Sequence, residues 1–212
     1  FGAAVALTVV KVDGRFALRR WIWVGVAAAG LTAIWAGGAL RLSNAHEDMV
    51  EGVRLRIVQA NIAQHHKWHP DLRKAHFAEH LALTQMAAMQ RITHVIWPET
   101  ATPYALGRDD RIRQMIGAVT PPDGLLITGA IRISEGEEAP QRIWNSLRAI
   151  SVSGDIVGSY DKMRLVPFGE YVPLRDWLPI DKLVGGSRDY SRGNAERTLE
   201  LEGLPLVGPL IC

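Results

Sequence analysis

From Trp21 to Leu40 the chain runs twenty residues without a charge, and Thr32 carries the only hydroxyl. A helix over that stretch is about 30 Å long, the thickness of a bilayer hydrocarbon core. Arg19 and Arg20 bound one end and Arg41 the other, and Trp21, Trp23 and Trp35 stand toward the two ends, where interfacial aromatics collect. A secretory signal has a shorter apolar core and a small-x-small cleavage site. A buried soluble helix of this length carries a polar stripe. Neither pattern is present, so the segment 21–42 is read as a transmembrane helix. Phe1–Val10 is also apolar and reads as the end of an earlier span. The loop 11–20 between them holds Lys11, Arg15, Arg19 and Arg20 against Asp13 alone. Positive loops stay cytoplasmic, which would put everything after Leu42 outside the cytoplasm, in the periplasm of a Gram-negative cell.

The pattern then changes to short apolar runs separated by polar and turn-forming residues. After a polar linker (43–53), Arg54–Ile62 reads as a strand and Pro70–Arg91 as a helix with Pro70 at its first position. Its apolar face would be Leu72, Ala75, Ala82, Leu83, Met86 and Met89, with the two methionines as core filler. His94–Trp97 and Leu125–Ile131 read as strands with a helix between them. Ile143–Val152 and Ile156–Tyr160 flank Ser153-Gly154-Asp155, a hairpin signal. A long irregular stretch, Asp161–Asn194, precedes two final strands, Arg197–Leu201 and Val207–Cys212. The order β-α-β-α-β-β-β-loop-β-β is α/β, a layered sheet with helices outside. The apolar residues of the 168–194 stretch, Trp177 and Leu178 among them, suggest a lid that meets the membrane surface.

Composition narrows the class further. There are 212 residues, 24 Lys+Arg against 22 Asp+Glu, a net charge of +2, 48% hydrophobic residues and one cysteine. That excludes a disordered or collagenous chain, and one cysteine excludes an internal disulfide framework or a multi-Cys zinc site. The near-neutral balance gives no drive toward nucleic acid. His65, His66 and His69, with His76 and His80 four apart, carry no accompanying metal motif such as HExxH, and read as a surface loop and a solvated helix face. The chain opens on Phe1 rather than Met, and Leu206–Cys212 reads as a strand cut partway. It is therefore expected to belong to a longer protein, and on its own to be unstable and inactive.

Three reactive residue types stand at element ends: Glu99, Lys162 and Cys212. A thiolate is the attacking form of cysteine. A carboxylate in reach takes its proton, and an ammonium stabilises the thiolate and a later oxyanion. Such a trio suits acyl transfer through a thioester.

"WPET" (Trp97–Thr100), "YDKMRLVPFGEYVP" (Tyr160–Pro173) and "PLIC" (Pro209–Cys212) resemble the nitrilase, or carbon–nitrogen hydrolase, superfamily. "LVPFGEYVP", together with "QANIAQ" (Gln59–Gln64), "KWHPD" (Lys67–Asp71) and "WNS" (Trp144–Ser146), is similar to its membrane-bound apolipoprotein N-acyltransferase branch. The resemblance implies a nitrilase-like α-β-β-α sandwich over 54–212, incomplete here, and a Glu-Lys-Cys triad. Cys212 would be the nucleophile, Glu99 the general base and Lys162 the oxyanion stabiliser. Glu170 would support the site by holding Lys162, and Asn145 and Trp68 would lie nearby. It implies a phospholipid acyl donor, a diacylglyceryl-cysteine apolipoprotein acceptor, contact with membrane lipid, and no metal or organic cofactor. A membrane-tethered amidase with the same triad, and a non-catalytic protein that binds lipidated partners, remain as alternatives.

Overall fold

The computed structural model describes residues 17–46, 49–63, 65–67, 69–86, 91–134, 141–173, 188–194 and 198–208. They fall into two compact units, 1–50 and 51–212.

Among the described residues of the first unit, the helix α1 (Ala17–Ser43) contains the uncharged stretch. Its segment Trp21–Ser43 is long and apolar enough to cross a membrane, and none of it is buried against protein. Ser43 Oγ closes the helix by donating to the Leu40 carbonyl at 2.9 Å.

The second unit is built on five strands in sequence order: β1 (Leu55–Ile57), β2 (His94–Ile96), β3 (Leu125–Ile133), β4 (Ile143–Ile150) and β5 (Ile156–Asp161). β1, β2 and β3 are parallel, while β4 and β5 are antiparallel additions. The helices α2 (Arg73–Thr84) and α3 (Asp110–Gly117) are the crossovers that parallel pairing requires. The β4–β5 hairpin turns at Gly154, whose φ of +83° suits glycine, and Ser153 Oγ donates to Asp155 Oδ2 at 2.6 Å.

Strand alternation divides the apolar residues between the two faces of the sheet. Val95, Leu126, Ala130 and Ile150 form one core with Phe77 of α2 and Ile112 and Ile116 of α3. Leu125, Ile127 and Ala149 point the other way and meet Leu201, with Leu199, Leu204 and Val207 beside it. Leu55, Ile57 and Val157 are exposed large apolar residues.

Several elements depart from the pattern-based expectation. β1 ends at Ile57 rather than Ile62, although Val58 N still donates to Ile96 O at 2.9 Å; Asn61 is left-handed, with φ +51°. The expected helix over 70–91 is a 3₁₀ turn (Pro70–Leu72) followed by α2, which stops at Thr84. Its buried face is Phe77, His80 and Thr84, whereas Ala75, Ala82 and Met86 are exposed, so Met86 does not fill the core. Two polar residues displaced the apolar count. Trp97 Nε1 donates to Thr84 Oγ1 at 2.8 Å, and Thr84 Oγ1 donates to His80 O at 2.7 Å. His80 is therefore not on a solvated face. Its Nδ1 donates to the His76 carbonyl at 2.7 Å, and its ring lies 5.2 Å from that of Trp97. The two final strands reduce, among the described residues, to one antiparallel bridge between Leu199 and Val207.

Among the described residues the Thr84 hydroxyl is the acceptor for the buried Trp97 indole, so Thr84→Val takes that partner away. The expected loss is about 1–3 kcal/mol, read as a lower denaturant midpoint of the full-length protein in detergent with an unchanged slope.

Candidate active site

The site lies where β2, β4 and β5 end or begin, the edge at which parallel α/β sheets collect ligand groups. Glu99 leaves β2 through a tight elbow. Trp97 N donates to Ile127 O at 2.8 Å, still in the sheet, and Ala101 N donates back to Pro98 O at 3.2 Å. Thr100 then takes a φ of +52°, an unfavourable conformation for a β-branched residue. The elbow lies flat on β3 because position 129 is glycine. A Cβ there would stand 2.6 Å from Glu99 Cα and closer still to the Thr100 amide nitrogen.

Asn145 faces the same place from β4, opposite Ile131, and is buried. Lys162 follows β5, its amide donating to Asn145 O at 2.8 Å, and its side chain is only 2% exposed. An Arg132–Asp161 bidentate pair, at 2.9 and 2.6 Å, ties β3 to the residue before Lys162. The Arg132 guanidinium also stacks 3.4 Å over the Trp144 ring. Glu170 sits on the turn after β5. Val166 N donates to Glu170 Oε2 at 2.9 Å, and Glu170 N returns a bond to Val166 O at 2.9 Å. The segment 188–194 returns to the same residues, with Tyr190 N donating to Glu170 O at 2.8 Å and Gly193 N to Lys162 O at 3.0 Å.

These four side chains form one connected group. Asn145 Nδ2 donates to Glu99 Oε1 and, at 2.9 Å, to Glu170 Oε1. Lys162 Nζ donates to Glu170 Oε1 at 3.0 Å and lies 3.6 Å from Glu99 Oε1. Glu170 is 12% exposed and Glu99 46%. Glu170 is thus locked against the ammonium from inside, while the Glu99 carboxylate keeps an open side on which it can take a proton. The field of the pair reaches Tyr190, whose phenol is pushed up by burial and then by Glu170 and Glu99.

Of the six residues expected at the site, Glu99, Asn145, Lys162 and Glu170 meet here. Cys212 and Trp68 lie outside the described residues, as do Trp177 and Leu178. Sequence reasoning assigned no role to Lys67, whose Nζ donates to the Glu99 backbone carbonyl at 2.9 Å. "KWHPD" was the available signal for it. Gly129 had none, because close approach between strands leaves no local pattern. Among the described residues no group of three or more His, Cys, Asp or Glu is arranged to hold a metal ion.

Residues 54–212 match the family model described as carbon-nitrogen hydrolase, and the chain belongs to that family. The mixed sheet with its two crossover helices is in keeping with the α/β, nitrilase-like expectation. Within the family, the chain is 32% identical over 225 residues to apolipoprotein N-acyltransferase from Rhodopseudomonas palustris, covering 99% of this chain and 41% of that protein. It is 36% identical over 222 residues to the enzyme of the same name from Allorhizobium ampelinum, again covering 99% and 41%. The chain thus spans about two-fifths of the length of these curated relatives. Among solved structures, a carbon-nitrogen hydrolase superfamily protein from Xanthomonas campestris overlays 62% of this chain and 44% of its own at 17% identity and a TM-score of 0.38.

Gly129→Ala should force the Glu99 elbow off β3. We expect a stability loss of about 1–3 kcal/mol and, since a shift of about 1 Å can cost about a hundredfold in rate, a larger fall in turnover than in folded protein. Comparing turnover per folded molecule with the thermal midpoint separates the two.

Proposed function

We propose that this chain is the catalytic portion of an apolipoprotein N-acyltransferase, which moves a fatty acyl group from a phospholipid to the amine of a diacylglyceryl-cysteine at a lipoprotein N-terminus. The observation that carries the reading is the convergence of Glu99 and Glu170 on the buried Lys162 ammonium, with Asn145 donating to both carboxylates, in a chain that also carries an apolar helix of membrane length. A membrane-tethered amidase would carry the same helix; the likeness to relatives named apolipoprotein N-acyltransferase is what favours the acyl transfer.

The reaction follows from the roles. Glu99 takes the thiol proton of Cys212, and the thiolate attacks the ester carbonyl carbon of the phospholipid. The Lys162 ammonium faces the tetrahedral oxyanion. Collapse breaks the ester C–O bond, and the departing lysophospholipid alkoxide recovers the proton from Glu99. The lipoprotein amine then attacks the thioester carbonyl, Glu99 accepts its proton, and the C–S bond breaks. Cys212 leaves as thiolate and is reprotonated by Glu99. Glu99 ends each half as the carboxylate it began as, and these residue roles carry the transfer with no metal or organic cofactor. Glu170 and Asn145 hold Lys162 and Glu99 in place, and Trp68 matches a family position near the site.

In this reading 1–10 ends an earlier span, 11–20 is a cytoplasmic loop, 21–42 spans the inner membrane, and 43–53 links it to a periplasmic domain over 54–212. The domain then lies on the periplasmic side of that membrane.

Incubating the full-length protein with phospholipid in detergent should add one fatty-acyl mass, released by hydroxylamine and absent in Cys212→Ala. Folded protein that gains no acyl mass but hydrolyses small amides would establish the amidase instead. Folded protein that does neither would leave a non-catalytic binder.

A further inference from the structure

We infer that Lys67 is a positioning residue for Glu99: its ammonium anchors the elbow at Glu99–Thr100 and so keeps the Glu99 carboxylate aligned with Asn145 and Lys162. The inference rests on the acyltransferase reading above.

The elbow needs an anchor. Left-handed backbone at a β-branched residue persists only where the surroundings over-determine it. On the sheet side the restraints are weak, Gly129 N to Pro98 O at 3.3 Å and Thr102 N to Gly129 O at 3.3 Å. Among the described residues the shortest bond to the elbow backbone at 98–102, a charge-assisted one, comes from Lys67, 32 residues earlier in the chain, at 2.9 Å. Lys67 is itself placed by a compact turn, with His66 N donating to Ala63 O at 2.9 Å and Lys67 N to the same carbonyl at 3.2 Å.

Its surroundings differ from those of a solvated lysine. Lys67 lines a cavity of about 180 Å³ together with Asn61, His76, His80, Glu99 and Thr100. Burial pushes its pKa down, and the Glu99 carboxylate pushes it back up. The titratable groups that face it are Glu99, His76 and His80. His80 is held below the usual histidine range chiefly by burial, with Lys67 contributing. The two imidazoles add no countercharge when neutral, so the Glu99 residue, through its carbonyl and its carboxylate, is what this ammonium serves. Loss of the Lys67 proton, which begins below the ordinary lysine range, weakens the anchor and lowers the rate as pH rises.

The test is single-turnover acylation of the full-length protein, with mixed micelles of phosphatidylethanolamine and phosphatidylglycerol as donor, followed by intact mass across pH. Lys67→Met should slow acylation about tenfold or more with no change in thermal midpoint. Lys67→Arg should restore most of the rate and carry it to higher pH, because a guanidinium keeps its proton there. Acylation of Lys67→Met at the wild-type rate would overturn the inference. So would a folded Lys67→Arg as slow as Lys67→Met, or one whose alkaline fall matches wild type. Should Lys67→Met not fold, Lys67→Arg decides alone. Wild-type protein that folds and acquires no acyl group would sink the acyltransferase reading and this role with it, an outcome distinct from a fast Lys67→Met.

Discussion

One buried ammonium organises the second of the molecule's two units. An ammonium taken out of water carries a desolvation penalty of several kcal/mol unless it is paired and hydrogen-bonded. Lys162 is almost wholly enclosed, so carboxylates must come to it. Glu170 answers from the turn after β5 and Glu99 from the end of β2. Two carboxylates beside one cation would repel each other, and the Asn145 amide, donating to both, occupies the space between them. Removing Lys162 leaves two like charges without their cation, and removing Glu170 leaves the buried ammonium only the longer contact to Glu99.

The fold serves that arrangement. Parallel pairing of β1, β2 and β3 sends their carboxyl ends to one edge, and the antiparallel β4–β5 hairpin returns the chain so that Asn145 and Lys162 share a backbone bond there. The absence of a side chain at Gly129 lets the Glu99 elbow lie on β3. The Arg132–Asp161 pair and the backbone donors of Tyr190 and Gly193 fix the segments on either side of Lys162. Most of these contacts thus fix the position of the four side chains.

Much of the fold was legible because alternation and turn residues are local signals. The strands over 125–133, 143–150 and 156–161, and the Ser153-Gly154-Asp155 turn, all lie where the pattern puts them. α2 was misjudged because Ala75, Ala82 and Met86 satisfied a hydrophobic count, while the buried face is decided by a hydrogen-bond chain through Trp97, Thr84 and His80. Polar burial of this kind depends on a partner on another element and leaves no periodicity. The meeting of Glu99 with Asn145, Lys162 and Glu170 was likewise out of reach of spacing alone, since 63 residues separate Glu99 from Lys162. Family-like motifs supplied those names, whereas Lys67 and Gly129 emerged only from the geometry.

The central claim is that Glu99, Asn145, Lys162 and Glu170 work as one unit. A double-mutant cycle on Asn145→Ala and Glu170→Gln, read as the rate of Cys212 acylation, tests it most directly. If the unit is real, the double variant should be less impaired than the product of the single effects by about fivefold or more, a coupling of about 1 kcal/mol. Independent effects that multiply would mean that the two residues act separately and that the shared bonds to Glu99 and Lys162 carry no common function.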